Sequence, residues 1–277
     1  MIQFYDLSQT TQRFFGVILL LPMVAVFWSS AILAQIIFVV ISVLMFREVG
    51  TMARLRRPPF LVLLALGGLI NLWPFAAAIF NLPSQMIFAA AIGFAFVFQI
   101  TAAMWAKDRR VGDFCLLLAL CVASGSAILA QPEGRFLLLM LAMVIASCDS
   151  AAYFVGRALG GPQLAPAISP NKTISGALGG IVATLLTTLL LFGFLERFNL
   201  NFYFNGEAVL LKLPQLIVGG VVIGVLAQIG DLLASALKRR LGFKNSSQLI
   251  PGHGGVLDRF DGYLLTLPAL LLFFILI

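Results

Sequence analysis

Charge is what this chain lacks. Asp, Glu, Lys and Arg make up 10% of its 277 residues, against roughly a quarter in soluble domains. With 61% hydrophobic residues and a mean hydropathy of +1.05, that scarcity excludes an ordinary water-soluble globule. Cysteine is scarce as well: Cys115, Cys121 and Cys148 all lie inside apolar runs, without the paired spacing of a metal site. Histidine occurs once, at His253. No internal repeat is visible, and no folded soluble surface remains to carry nucleic-acid binding, so the net charge of +7 belongs to membrane-side loops. The apolar run from Phe14 to Phe46 has no convincing cleavage region, which argues against a secretory signal.

What is present is hydrophobic length. A spanning helix needs roughly 20 apolar residues, and the runs predict an all-α, polytopic integral membrane protein of about nine transmembrane helices. They fall near 14–29, 30–46, 60–80, 85–106, 113–130, 135–158, 174–195, 213–238 and 260–277, the first two joined tightly near Ser29-Ser30. Residues 1–277 then form one membrane domain, with 1–134 as a helical scaffold and 135–277 as the catalytic helices and cytoplasmic loops.

Basic residues set the orientation. With that span count, 15 of the 18 Lys and Arg residues fall on the side of the N-terminus, and only Arg135, Arg197 and Lys212 lie opposite. The expectation is a multi-pass protein of the inner (plasma) membrane with its N-terminus and charged loops in the cytoplasm. The cluster Arg54 to Arg57 would meet anionic headgroups.

Reactive groups gather in two places. Between Asp231 and Gly262 stand eight of the 29 charged residues and the single histidine. On a helix, Asp231, Ser235 and Lys238 fall at i, i+4 and i+7, on one face. The loop Pro251-Gly252-His253-Gly254-Gly255 lets backbone amides approach an anion, and Asp258, Arg259 and Asp261 follow. Carboxylates that can hold a hard cation, beside Lys and Arg that can hold phosphate oxygens, are the parts of metal-assisted phosphoryl or nucleotidyl transfer. The second place is a helix in which Asp149, Tyr153, Gly156 and Gly160 form one stripe. An acid inside lipid costs at least ~3 kcal/mol, so Asp149 is either a ligand or a helix–helix hydrogen bond. Ser169, Lys172 and Thr173 then lead into Gly176 and Gly179-Gly180, an anion seat at a helix start or an ordinary loop.

Ser235-x-x-Lys238-Arg239, Lys244 and Pro251-x-His253-Gly254-Gly255-x-x-Asp258-Arg259-x-Asp261 resemble the signature of the phosphatidate cytidylyltransferases, the CDP-diacylglycerol synthases. Asp149-x-x-Ala152-Tyr153, Ser169-Pro170-x-Lys172-Thr173 and a Gly230-Asp231-Leu232 turn extend the resemblance from about Cys148 to Gly262. Asn245 and Ser175 stand where that family usually has acids.

The resemblance implies transfer of a cytidylyl group from CTP to phosphatidate, giving CDP-diacylglycerol and pyrophosphate in phospholipid biosynthesis. Asp231 and Asp258 would bind Mg2+, with Asp149 and Asp261 as further ligands or as groups supporting the ligands, and a second, monovalent cation such as K+ as the further candidate. Lys238, Arg239, Lys172 and Arg259 would hold phosphates, Arg259 having an internal ion pair as its alternative, and Ser235 a phosphate or the cation. Ser169, Thr173, Tyr153, Gly254 and Gly255 complete substrate binding. His253 would donate to phosphate or pyrophosphate, or else order its loop. Phosphatidate supplies its own ionised nucleophile, its second pKa lying near ~6, so no strong base is required. A homodimer is implied too. Two other classes stay open: a related cytidylyltransferase or kinase acting on another lipid acceptor, and an ion or anion transporter, whose polarity would sit near the midplane of repeated halves.

Overall fold

The computed structural model describes residues 30–79, 84–131, 133–197, 202–204, 207–209, 211–250 and 254–276. Ser30 opens the first described helix: its hydroxyl accepts from the Leu33 amide at 3.3 Å, a side-chain cap that starts α1 (Ala31–Met52). α1 runs past Phe46, where the apolar run stops, and so carries Arg47 and Glu48 in its last turns. α2 (Arg57–Ile79) and α3 (Ser84–Ala106) follow. Asp108 then caps α4 (Arg109–Leu129), its carboxylate accepting from the Arg110 amide at 3.0 Å.

The second part holds α5 (Gly134–Leu159), α6 (Ile174–Arg197), α7 (Leu213–Arg240), a single turn α8 (Leu257–Phe260) and α9 (Tyr263–Leu276). Two short antiparallel ribbons occupy loops: β1 (Gln163–Ala165) with β2 (Ser169–Thr173), and β3 (Phe202–Phe204) with β4 (Glu207–Val209).

Among the described residues, α1, α4, α5, α6 and α7 are long and apolar enough to cross a membrane, and Phe60–Asn71, Ala95–Ala106 and Tyr263–Leu276 are shorter apolar helical stretches. The all-α, multi-pass character follows. The expected span at 14–29 lies outside the described residues. Two local expectations differ. The last span does not begin at Phe260: the chain makes α8, breaks at Asp261-Gly262 and restarts at Tyr263. Gly230-Asp231-Leu232 is no turn but the middle of α7. Gly230 is required there because a Cβ would lie 2.6 Å from the Asp261 carbonyl oxygen.

α4 joins the two parts. It is buried along most of its length, and its Gly125 sits against Phe38 of α1, with Leu267 of α9 at 3.2 Å from where a Cβ would be. Phe46 and Phe98, both fully buried, pack with ring centroids 4.7 Å apart. Glycine seams bring α5, α6 and α7 together, as small residues do where helices meet in lipid. A Cβ on Gly176 would lie 2.6 Å from the Ala152 carbonyl oxygen, and one on Gly220 would lie 2.9 Å from Leu185 Cα.

Candidate active site

The α5–α6 seam opens at one end into a cleft of about 680 Å³, within the range of small-molecule sites. α5 contributes Asp149, Ala152, Tyr153, Gly156 and Arg157, whose spacing puts them on one face. The β1–β2 ribbon contributes Ser169, Asn171, Lys172 and Thr173, and α7 contributes Gln228 and Asp231. Both constellations of the sequence thus meet here, in the persons of Asp149 and Asp231.

Local bonds hold the walls. Thr173 ends the ribbon and starts α6, its hydroxyl accepting from the Gly176 amide at 3.1 Å and lying 3.0 Å from Ser175 Oγ. Ser175 in turn donates to the Gly160 carbonyl, so the residue that replaces the usual acid ties α5 to α6. Gln228 donates to the Ala177 carbonyl at 2.9 Å and fixes α7 against α6. Arg157 donates to the Tyr153 hydroxyl at 3.0 Å, and Tyr153 is exposed at 58%.

Within the cleft, Lys172 forms an ion pair with Asp231 Oδ2. Ser235, one turn on, donates to Asp231 Oδ1 at 3.3 Å. Asp261 stands beside this group. Burial lifts its carboxyl above the usual carboxylate range, the Asp231 charge adds to that, Lys238 opposes it and Asp149 adds again. Three acids therefore share one electrostatic neighbourhood, and Arg259, which is exposed, lies within the field of Asp149.

Asp258 has a different setting. Its Oδ1 takes Lys238 Nζ at 2.6 Å, and its Oδ2 takes the amides of Ser246 and Gly255 at 2.9 Å each, with Ser246 Oγ at 3.0 Å. Burial pushes this carboxyl up, but Lys238 and the two amides outweigh it and hold it below the usual range. Asp258 and Lys238 are not among the residues that line the cleft. The Gly255 amide, expected to face an anion, serves Asp258. Gly254 adopts φ +85°, a conformation that suits glycine. His253 lies outside the described residues. Arg239 donates to the Ile168 and Phe243 carbonyls at 3.3 Å each, joining α7 to the ribbon.

One residue escaped sequence reasoning. Glu48 of α1 is 2% exposed and accepts from Ser246 and Ser247 hydroxyls and from the Val256 and Leu257 amides. Its signal was isolation: it is the only acid between Asp6 and Asp108.

Among the described residues no three His, Cys, Asp or Glu side chains converge as a ready metal cluster. Asp231 and Asp149 nevertheless suit a hard cation, since carboxylate oxygens are the donors such ions take. The Lys172 ammonium already occupies a cation's place on Asp231.

A family model described as "Cytidylyltransferase family" matches residues 10–277. A phosphatidate cytidylyltransferase of Staphylococcus haemolyticus (strain JCSC1435) is 35% identical over 159 residues, 57% of this chain and 56% of that protein. One of Brucella suis biovar 1 (strain 1330) is 43% identical over 146 residues, 52% of this chain and 48% of that protein. The chain spans about half the length of the curated relatives it matches.

Proposed function

Because this chain belongs to the cytidylyltransferase family, we propose that it joins CTP to phosphatidate, yielding CDP-diacylglycerol and pyrophosphate. The observation that carries the reading is the Lys172–Asp231 ion pair in a roomy cleft that Asp149 also lines. The cleft's charged lining comprises two acids, Asp149 and Asp231, and two bases, Arg157 and Lys172. A balanced lining cannot by itself neutralise a nucleoside triphosphate and a lipid phosphate brought together, so further positive charge must arrive with the substrate.

A divalent cation, Mg2+, fits that requirement. Asp231 and Asp149 would hold it, with Asp261 beside them, and when bound it would supply charge neutralisation of the phosphates. Asp258 already accepts from Lys238 Nζ and from the Ser246 and Gly255 amides, and any cation would have to displace them. Its support is therefore for anchoring Lys238 rather than for metal binding. A monovalent ion such as K+ has no separate observation in its favour.

The reaction balances without an outside base. A phosphate oxygen of phosphatidate attacks the α-phosphorus of CTP, the new P–O bond forms, the bond to the β-phosphate oxygen breaks, and pyrophosphate leaves with that electron pair. Lys172, whose ammonium pairs with Asp231 at the edge of the cleft, would hold a phosphate oxygen. Ser169, Thr173 and Arg157 orient the triphosphate, while Arg239, which does not line the cleft, is engaged by the Ile168 and Phe243 carbonyls. Acyl chains stay in the bilayer beside α5 and α6. The site then faces the cytoplasm of the inner membrane, where CTP is, and the protein works as a homodimer by family resemblance.

The test is direct. Protein purified in micelles, given Mg2+, labelled CTP and phosphatidate, should yield labelled CDP-diacylglycerol. Product only with another lipid phosphate or lipid alcohol would reassign the acceptor.

A further inference from the structure

Glu48, the single acid of α1, has no place in the cleft, yet its carboxylate accepts four hydrogen bonds. Oε1 accepts from Ser247 Oγ at 2.6 Å and from the Val256 amide at 2.8 Å; Oε2 accepts from Ser246 Oγ and the Leu257 amide, each at 2.8 Å. Every donor lies 198 to 209 residues further along the chain. A charged acceptor with four donors is a strong and directional tie, and here it lies nearly out of reach of water, at 2% exposure.

The tie is continuous with the Asp258 pair. Ser246 Oγ stands between Glu48 Oε2 and Asp258 Oδ2, and Asp258 then grips Lys238. Gly255 shows how tightly the loop is pressed against the acid: a Cβ there would collide with Ser246 Oγ and come within 2.6 Å of both Glu48 oxygens. Lys238 belongs to the same helix as Asp231 and Ser235, and Asp261 follows Asp258 by three residues. The Asp261 carbonyl oxygen lies 2.6 Å from where a Gly230 Cβ would be, next to Asp231 in the chain, so the placement of Val256 to Asp258 sets where Asp261 meets α7.

We propose that Glu48 is a positioning residue. Its carboxylate, delivered from a helix that sequence reasoning assigned to passive scaffold, ties Ser246 and Ser247 to Val256 and Leu257 in the register that seats Asp258 on Lys238 and Asp261 against Gly230 of α7. Its effect on turnover rests on the cytidylyltransferase reading above; its effect on the loop does not.

The experiment compares the full chain with E48Q, E48D and E48A in detergent micelles, by two readouts. Hydrogen exchange over 254–262 should quicken about tenfold or more in E48A, with E48Q and E48D between, while exchange in α4 stays unchanged. In the CTP and phosphatidate assay, kcat should fall about tenfold or more with the KM for CTP moving less than about threefold, as for a group that acts on the assembled site. E48D should recover part of the rate. If E48A does not fold, E48Q and S247A, which weaken the same tie, take its place in the exchange measurement. Exchange over 254–262 that stays at the wild-type rate in every folded variant overturns the proposal. So does destabilisation spread evenly over the chain with kcat per folded enzyme unchanged. If the wild-type chain transfers no cytidylyl group at all, the functional reading fails, and exchange alone still decides for or against Glu48.

Discussion

Lys238 and Asp258 bury an ion pair at the C-terminal end of α7, with Nζ and Oδ1 2.6 Å apart and their side chains 8% and 10% exposed. Removing one partner of such a pair strands the other, at a cost of roughly 3–5 kcal/mol, whereas replacing both by apolar groups of similar size is often neutral. Lys238→Met should therefore lower stability in micelles by several kcal/mol. The double variant Lys238→Met/Asp258→Leu should regain part of that loss but none of the activity, since the Ser246 and Gly255 amides lose their acceptor. Thermal unfolding of Lys238→Met, of Asp258→Leu and of the double variant decides the matter. Additive losses would show that the two side chains act independently.

Lys172 is the charged partner that the cleft can release. Its amine pairs with Asp231 while its side chain remains 31% exposed, so breaking the pair exposes no buried charge. Lys172→Ala should leave stability within about 1 kcal/mol. It should weaken CTP binding by about tenfold to a hundredfold, the worth of a charge-assisted phosphate contact. Asp231→Asn should instead reduce turnover by about a thousandfold. Steady-state kinetics with varied CTP separates the two; equal effects on kcat would contradict the division of roles.

These two residues also show what was legible in the sequence. The helices were readable because uninterrupted apolar length is a one-dimensional property, and the ends of α5, α6 and α7 fall within a few residues of where hydrophobicity changes. Asp149, Lys172 and Asp231 were readable because an acid in an apolar helix and a base in a short polar loop are locally costly. Which acid faces which base was not. Asp258 and Asp231 are equally acidic in sequence, and only folding shows that Ser246, Gly255 and Lys238 occupy one while the other opens to the cleft. Glu48 was hidden for the same reason: its four donors lie about 200 residues away, and α1 had to continue beyond its apolar run to deliver it. The β1–β2 ribbon, only eight residues of strand, lacks the alternating apolar pattern that would announce it.

Gly176 lies in the α5–α6 seam and lines the cleft. Gly176→Val would place a branched side chain where even a Cβ lies 2.6 Å from the Ala152 carbonyl oxygen and 3.1 Å from Thr173 Oγ1. Overpacking of this kind costs about 1–3 kcal/mol. It should also push Thr173 off its cap. The variant should insert in the membrane, unfold at lower temperature and lose most CTP binding. Gly193, with nothing within 4 Å of its would-be Cβ, provides the control: Gly193→Ala should match wild type in both measurements.

Arg240 and Asp108 link α7 to the start of α4 through an exposed pair, Nε to Oδ2 at 2.9 Å. The hydrogen bond from Arg240, helped by the Arg110 amide, holds the Asp108 carboxyl below its usual range. A depressed carboxylate contributes its stability above the ordinary aspartate pKa and loses it as pH falls through the lower, folded value. The Arg240→Ala variant should therefore differ from wild type only slightly at pH 7, by no more than about 1 kcal/mol because the pair is solvent-screened. The difference should vanish in strong acid and shrink in high salt. Unfolding midpoints of the two proteins at neutral and acid pH, with and without added salt, measure this. A gap that persists in acid would mean that Arg240 stabilises α7 through packing of its stem and not through Asp108.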